Sequence, residues 1–104
     1  MREPTYFILA ALQDEPGHGY AIMSRVTALS GDRVRLATGT LYQALDRLTR
    51  EALIEVVREE VVNGRARRHY ALTPDGRSAL QAEAARMAAA ARVVLRPRVA
   101  GGAA

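Results

Sequence analysis

Ala37-Thr38-Gly39-Thr40-Leu41-Tyr42-Gln43-Ala44-Leu45-Asp46-Arg47-Leu48-Thr49-Arg50 is the stretch on which the fold turns. It reads as a short helix with two faces. Leu41, Leu45, Leu48 and Ala52 recur at helical spacing as an apolar stripe. Thr40, Gln43, Arg47 and Arg50 share a second face, well separated from the first at about 100° per residue. The apolar face can seal against a core. The polar face offers hydroxyl, amide and guanidinium groups, which read base edges and grip phosphates in a DNA groove. Thr38 stands where an N-cap is expected, its hydroxyl free to accept from a backbone N–H. The remaining N–H groups of that first turn suit a phosphate. A small amphipathic helix with polar outer residues is also common in globular proteins, so the neighbouring stretches must make the distinction.

Upstream, residues 4–14 read as a helix with Pro4 in its first turn. Ile8, Leu9 and Leu12 form its apolar face, Tyr6 and Phe7 flank it, and Glu15-Pro16-Gly17 breaks it. His18-Gly19-Tyr20 opens a second helix over residues 18–29, with Ile22, Val26 and Leu29 as its buried stripe and Met23 widening it. Ser30-Gly31-Asp32 stops this helix, and Arg33-Val34-Arg35-Leu36 alternates as a short strand would. A helix, a break and a second amphipathic helix with a polar outer face make a helix-turn-helix.

Downstream, Glu55 to Val62 reads as a strand, Asn63-Gly64 as a hairpin turn, and His69-Tyr70-Ala71-Leu72 as the return strand. Arg65, Arg67 and Arg68 are expected near the tip, where a basic wing would follow a sugar-phosphate backbone. The alternative is a solvated turn with incidental charge. Thr73-Pro74-Asp75-Gly76 then starts a helix: Thr73 caps, Pro74 fits the first position and Asp75 suits the positive dipole end. This helix is expected to run to about Leu95, with Pro97 as a stop. Leu80, Ala84, Met87, Ala91 and Val94 alternate spacings of four and three, the 3.5-residue repeat of a helix-pairing seam. We expect these five to meet the same helix of a second subunit, the alternative being that the helix folds back on its own domain. The fold class is therefore mainly α with a small β-hairpin, a winged helix-turn-helix plus a C-terminal dimerisation helix. Residues 1–73 would form the winged unit, 74–96 the dimerisation helix and 97–104 a frayed tail.

Composition bounds the function. With 104 residues the chain is one domain with a modest core, to which a second subunit would add. Its 49% hydrophobic and 25% charged content is ordinary for a globular protein. It has no Cys, which excludes a disulfide framework and fits a cytoplasmic setting. No run approaches the length of a membrane span, and the N-terminus lacks the layout of a signal peptide. The net charge is +4 with a pI near 10.3, and every basic residue is Arg. Residues 1–60 hold seven Arg against nine acids, whereas residues 61–104 hold eight Arg against two, so the second half carries a surface for a polyanion. Catalytic constellations are missing. His18 and His69 are far apart in sequence, and Gly31, Gly39 and Gly64 are isolated. Glu59 and Glu60 in a strand would point opposite ways. We expect no enzyme, no cofactor and no metal site.

Three stretches together carry a resemblance: His18-Gly19-Tyr20; Thr38-Gly39-Thr40-Leu41-Tyr42-Gln43-Ala44-Leu45 on to Ala52-Leu53-Ile54; and Arg65-Ala66-Arg67-Arg68-His69-Tyr70-Ala71-Leu72-Thr73-Pro74-Asp75-Gly76. In order and spacing the chain resembles the PadR family of bacterial transcriptional regulators over most of residues 5–80. The resemblance implies a homodimeric winged helix-turn-helix that represses nearby genes, sometimes relieved by a small aromatic or drug-like effector. Two recognition helices in successive major grooves would meet a palindromic site in double-stranded DNA. The resemblance also implies that Thr38, Thr40, Tyr42, Gln43 and Arg47 face DNA, with Tyr20 near the backbone; we expect Gly39 and the wing residues Arg65, Arg67 and Arg68 to contact DNA beside them. Gln43 stands where the family pattern often has Pro, and a Gln there can pair bidentately with adenine. The alternative expectation is a winged-helix module whose Arg face binds an acidic protein.

Overall fold

The computed structural model describes residues 1–97. Helices α1 (Glu3–Ala11), α2 (Gly19–Leu29) and α3 (Thr38–Arg50) are followed by an antiparallel hairpin of β1 (Ile54–Val62) and β2 (Arg65–Leu72), then by α4 (Pro74–Leu95). The architecture is the winged helix-turn-helix with an added C-terminal helix that the sequence patterns predict. Its core forms where the apolar stripes converge: Ile8, Leu9 and Leu12, Ile22 and Val26, and Leu41, Leu45 and Leu48, closed by Ile54, Tyr70 and Leu80. Burying a side chain of this kind contributes about 1.5–3 kcal/mol. That sum holds three helices too short to persist alone.

The first helix is shorter than expected, ending at Ala11 instead of continuing to Asp14. The N–H groups of Leu12 and Gln13 turn back onto the carbonyls of Leu9 and Ala10, tightening the last turn. Arg25 of α2 collects the carbonyls left over, donating to Ala11 at 3.0 Å, Glu15 at 3.3 Å and Pro16 at 3.2 Å, and it pairs with the Glu15 carboxylate at 3.0 Å. Arg77 does the same for the Gln13 carbonyl at 3.0 Å. Two helices are thus tied through their turn by guanidinium groups, which suit several carbonyls at once.

Arg33-Val34-Arg35-Leu36 is not a strand. Val34 is buried, but its N–H is taken by the Ser30 hydroxyl at 2.9 Å. The sheet edge where a third strand would pair is held by Gly17, which exchanges hydrogen bonds with Tyr70 at 3.0 and 2.9 Å. Period-two alternation creates a strand only where a partner edge is free.

Both ends of α3 correct the sequence reading. Its N-cap is Ala37, not Thr38; Thr38 is the first helical residue, and no side chain caps the turn. At the other end Ala52 is exposed and lies outside the apolar stripe. It adopts φ 60° while Leu53 N–H bonds the Leu48 carbonyl and Ala52 N–H the Thr49 carbonyl, a Schellman ending with alanine where glycine is usual.

The hairpin turns on Asn63 and Gly64, both at positive φ (52° and 76°), the signature of a tight two-residue turn matched to strand twist. The register slips between Val56 and Arg58, a bulge at Val57. β2 starts directly after the turn, so Arg65, Arg67 and Arg68 lie in a strand and not in a loop at the tip.

α4 begins as expected. The Thr73 hydroxyl accepts from Gly76 N–H at 3.0 Å and donates to the Ala52 carbonyl at 2.6 Å. Gly76 is buried against the Leu53 carbonyl, and a Cβ there would sit 1.9 Å from its oxygen, so no other residue fits. Leu80 belongs to the domain's own core, which corrects its assignment to a subunit seam; Ala84 is half-buried, and Met87, Ala91 and Val94 are exposed. The helix projects. The Cα radius of gyration is 17.3 Å, against about 13 Å for a compact domain of this length. The expected tail, 97–104, lies outside the described residues except for Pro97.

Candidate nucleic-acid interface

Three elements meet on one side of the molecule: the start of α2, the outer face of α3 and the hairpin. Leu41, Leu45 and Leu48 bury one side of α3 completely. At about 100° per residue, Gly39, Gln43, Asp46 and Arg50 fall opposite that stripe, with Arg47 and Tyr42 on its two flanks. Thr38, Gly39, Thr40, Tyr42, Gln43 and Arg47 are all exposed. The Thr38, Gly39 and Thr40 N–H groups precede the first intrahelical bond, which Leu41 makes to Ala37 at 2.9 Å. Uncapped donors at a helix N-terminus are an anion-binding arrangement. A Cβ on Gly39 would touch nothing within 4 Å, so the fold itself does not require glycine there.

Two expected residues are placed differently. Arg47 leans toward α1, donating to the Thr5 hydroxyl at 2.9 Å and pairing with Glu51 at 3.5 Å. Tyr42 leans toward α2, where a Cβ on Gly19 would lie 2.4 Å from its hydroxyl. Gly19 and Tyr42 are therefore one packing unit that joins the start of α2 to α3. Arg50, expected on the polar face, and Asp46, which was not, hold the centre of the outward face. Their signal was available by counting residues around the helix from the leucines.

The hairpin divides its arginines between two faces, because successive strand residues alternate. Arg68 faces the side of Tyr70 and is held by Glu59 at 2.9 Å. Arg65 and Arg67 face the other side and make no ion pair among the described residues. With His18, Tyr20, Thr38 and Tyr42 they line an open groove of about 630 Å³. Tyr20 is 74% exposed at its rim. The Arg65 and Arg67 guanidinium groups, two phenols, an imidazole and the first residue of α3, Thr38, thus bound one concave surface.

Beneath the groove lies a cluster that sequence distance conceals. His18 and His69, expected far apart, meet edge to face with ring centroids 5.4 Å apart. His69 Nε2 bonds Glu60 at 2.8 Å, and Arg58 lies 3.1 Å from the same nitrogen. His18 caps α2, its Nδ1 accepting from Ala21 N–H at 3.4 Å. Burial first, then the charge of Arg67 and the neighbouring His69, holds the His18 pKa below the ordinary imidazole value. The hydrogen bond from His69 holds the Glu60 carboxyl below its ordinary value. Among the described residues no group of three potential ligands could hold a metal. Nor is any helix there long and apolar enough to cross a membrane.

A four-helix winged helix-turn-helix with an uncapped, exposed third helix beside a basic hairpin is the scaffold of a transcription factor. Residues 8–82 match the model of the transcriptional regulator PadR-like family. The chain belongs to that family, a class of regulators and not of enzymes. It is 44% identical over 81 residues to an uncharacterized 37.1 kDa protein in transposon TN4556 of Streptomyces fradiae, covering 78% of this chain and 22% of that one. It is 45% identical over 67 residues to transcriptional regulator Rv3488 of Mycobacterium tuberculosis, covering 64% and 62%. The chain thus spans less than two thirds of the length of either relative. Among solved structures, Bacillus subtilis PadR in complex with operator DNA superposes with a TM-score of 0.68 at 23% identity, covering 94% of this chain and 51% of that one.

Proposed function

We propose that this chain is a homodimeric repressor that binds a palindromic operator in double-stranded DNA. The observation that carries the reading is the exposed, uncapped face of α3 set beside a groove bearing Arg65 and Arg67, which make no ion pair among the described residues. α3 would enter the major groove, with Gln43 and Arg50 at the base edges. Thr38, Gly39, Thr40, Tyr42 and Tyr20 would hold phosphates and set register. Arg47 flanks the bases and, to reach them, exchanges its contacts with Thr5 and Glu51. Arg65 and Arg67 follow the backbone, and Arg68 supplies charge from the opposite face of the wing. The winged unit of residues 1–73 then reads DNA, and the α4 segment of residues 74–96 pairs with the partner's, using Met87, Ala91 and Val94 with Ala84 at the margin. Two such units would meet grooves about 34 Å apart on the duplex. A DNA-bound regulator of this kind works in the cytoplasm. The likeness to Bacillus subtilis PadR, solved in complex with operator DNA, supports the same reading.

Release by a small aromatic or drug-like effector is the second part of the proposal. Its support is a groove of about 240 Å³ between α1 and α4, where Tyr6 and Phe7 pack edge to face at 5.3 Å beside Met87. That volume is below the roughly 300–1,000 Å³ of ligand sites, so a partner subunit is needed to complete the pocket.

The test is a fluorescence-anisotropy titration against tiled duplexes from the DNA flanking the coding region, at two salt concentrations. We expect one palindromic tile to bind far more tightly than random duplex, and aromatic ligands to weaken that tile selectively. Equal, weak, strongly salt-sensitive binding to every tile would overturn the operator reading and leave an acidic protein as the partner of the Arg face.

A further inference from the structure

The outward face of α3 carries one carboxylate, and it is out of place on a surface meant for a polyanion. Asp46 is the sole acidic residue between Thr38 and Arg50. It is exposed, and it makes no ion pair or side-chain hydrogen bond among the described residues. The cations that could neutralise it are engaged elsewhere or left apart. Arg47 is taken by Thr5 and Glu51, and Arg68 by Glu59 at 2.9 Å. Arg50, one turn on, makes no ion pair among the described residues. Asp46 and Arg50 instead border an open groove of about 250 Å³ between α3 and the hairpin, floored by Tyr70 and Val56. A surface residue kept only for solubility would gain from the available i,i+4 partner. One that must meet a base edge has to stay unpaired.

We propose that Asp46 is a specificity-determining residue of α3, accepting a hydrogen bond from the N4 amino group of a cytosine in the major groove. This rests on the DNA-binding reading above. Asp is a natural acceptor for cytosine N4, the one strong donor a G·C pair presents there. A carboxylate also discriminates by repulsion. Against thymine O4 or guanine O6 and N7 it faces acceptors, and its charge repels the phosphates of any duplex whose bases give it no donor. It therefore weakens complexes that set an acceptor against it while adding to the one that sets a cytosine amino group there. Its place follows from helix geometry: Asp46 lies three residues from Gln43, a rise of about 4.5 Å. The cytosine then falls one or two base pairs from the base that Gln43 reads.

The test uses the full chain and the operator tile found with the unsubstituted protein. Every base pair of one half-site is varied singly, and binding is measured for the unsubstituted chain, Asp46→Asn and Asp46→Ala, with random duplex as reference. We expect the unsubstituted chain to lose about tenfold at one position when cytosine is replaced. Asp46→Ala should be indifferent there. Asp46→Asn should lose the cytosine preference in part and gain tolerance of purines through its added NH2 donor. Both should keep the preferences at other positions and bind random duplex several-fold more tightly. A variant profile matching that of the unsubstituted chain at every position would overturn the proposal. So would equal tightening on operator and random duplex, since Asp46 would then act only as a diffuse charge. Failure of the unsubstituted chain to prefer any tile would overturn the operator reading itself, and this inference with it. That outcome is read before any variant is made and is separate from an Asp46 failure.

Discussion

Ala52 holds a left-handed backbone at φ 60° so that α3 can end and Leu53 can turn toward the core. That conformation costs an L-residue with a Cβ roughly 1–2 kcal/mol. Glycine escapes the cost but gives up about 0.5–1 kcal/mol of chain entropy on folding. The first effect is the larger. Ala52→Gly should therefore stabilise the fold by about 0.5–1 kcal/mol, a rise of a few degrees in Tm by differential scanning calorimetry. A lower Tm would mean that the Ala52 methyl group makes a contact worth more than the strain. Gly76 presents the reverse case: its conformation is ordinary and its surroundings forbid a side chain. The Thr-Pro-Asp-Gly run signals a helix start by local rules, whereas the need for its glycine comes from the Leu53 carbonyl, 23 positions earlier in the chain.

At the scale of elements, the hairpin depends on its base. Two strands alone are marginal in water. Here Ile54 and Tyr70 anchor one end in the core, Gly17 pairs with Tyr70, and His18 packs on His69. The His18 cap makes this junction sensitive to acid. Its folded pKa lies below the ordinary 6.5, so the unfolded chain takes up the proton first. The stability it contributes is full above pH 6.5 and is lost as pH falls toward the folded value. Glu60, whose folded pKa is lowered from 4.5, adds a second loss below that pH. Tm measured across this range should fall in two stages, and His18→Asn, which caps without titrating, should remove the first stage. Persistence of that stage in the variant would assign it to another group. The division of the wing arginines gives a further prediction. Arg67→Ala should flatten the dependence of log K on log salt by about one unit. Arg68→Ala should flatten it less, since Glu59 already offsets that charge. Equal slopes for the two variants would show that the Glu59 pair opens on DNA.

For the whole molecule, α4 is the outlying feature. It is 22 residues long and stretches the molecule to 70 × 27 × 21 Å. Leu80 secures its first turns to the core, while Val93, Val94 and Leu95 remain 67–81% exposed. Met87→Glu with Val94→Glu should convert a dimer to monomer in analytical ultracentrifugation while leaving the far-ultraviolet circular dichroism of the monomer unit intact. An unchanged sedimentation coefficient would remove these residues from the subunit contact.

Periodicity and turn chemistry were sufficient for element identity and order. Leucines at helical spacing, Asn63-Gly64 and Thr73-Pro74 depend on bonds made within a few residues, and the four helices and the hairpin appear in the order those patterns give, whereas the alternation at Arg33–Leu36 makes no strand. The basic wing and the outward face of α3 were legible for the same reason. What local pattern could not supply were the partners brought from afar: Gly17 in place of Arg33–Leu36 at the sheet edge, His18 against His69, Arg47 drawn to Thr5, and Leu80 claimed by the core. Each was set by which groups lay within reach after collapse. Free energy then favoured the arrangement that left the fewest carbonyls, charges and apolar faces without a partner.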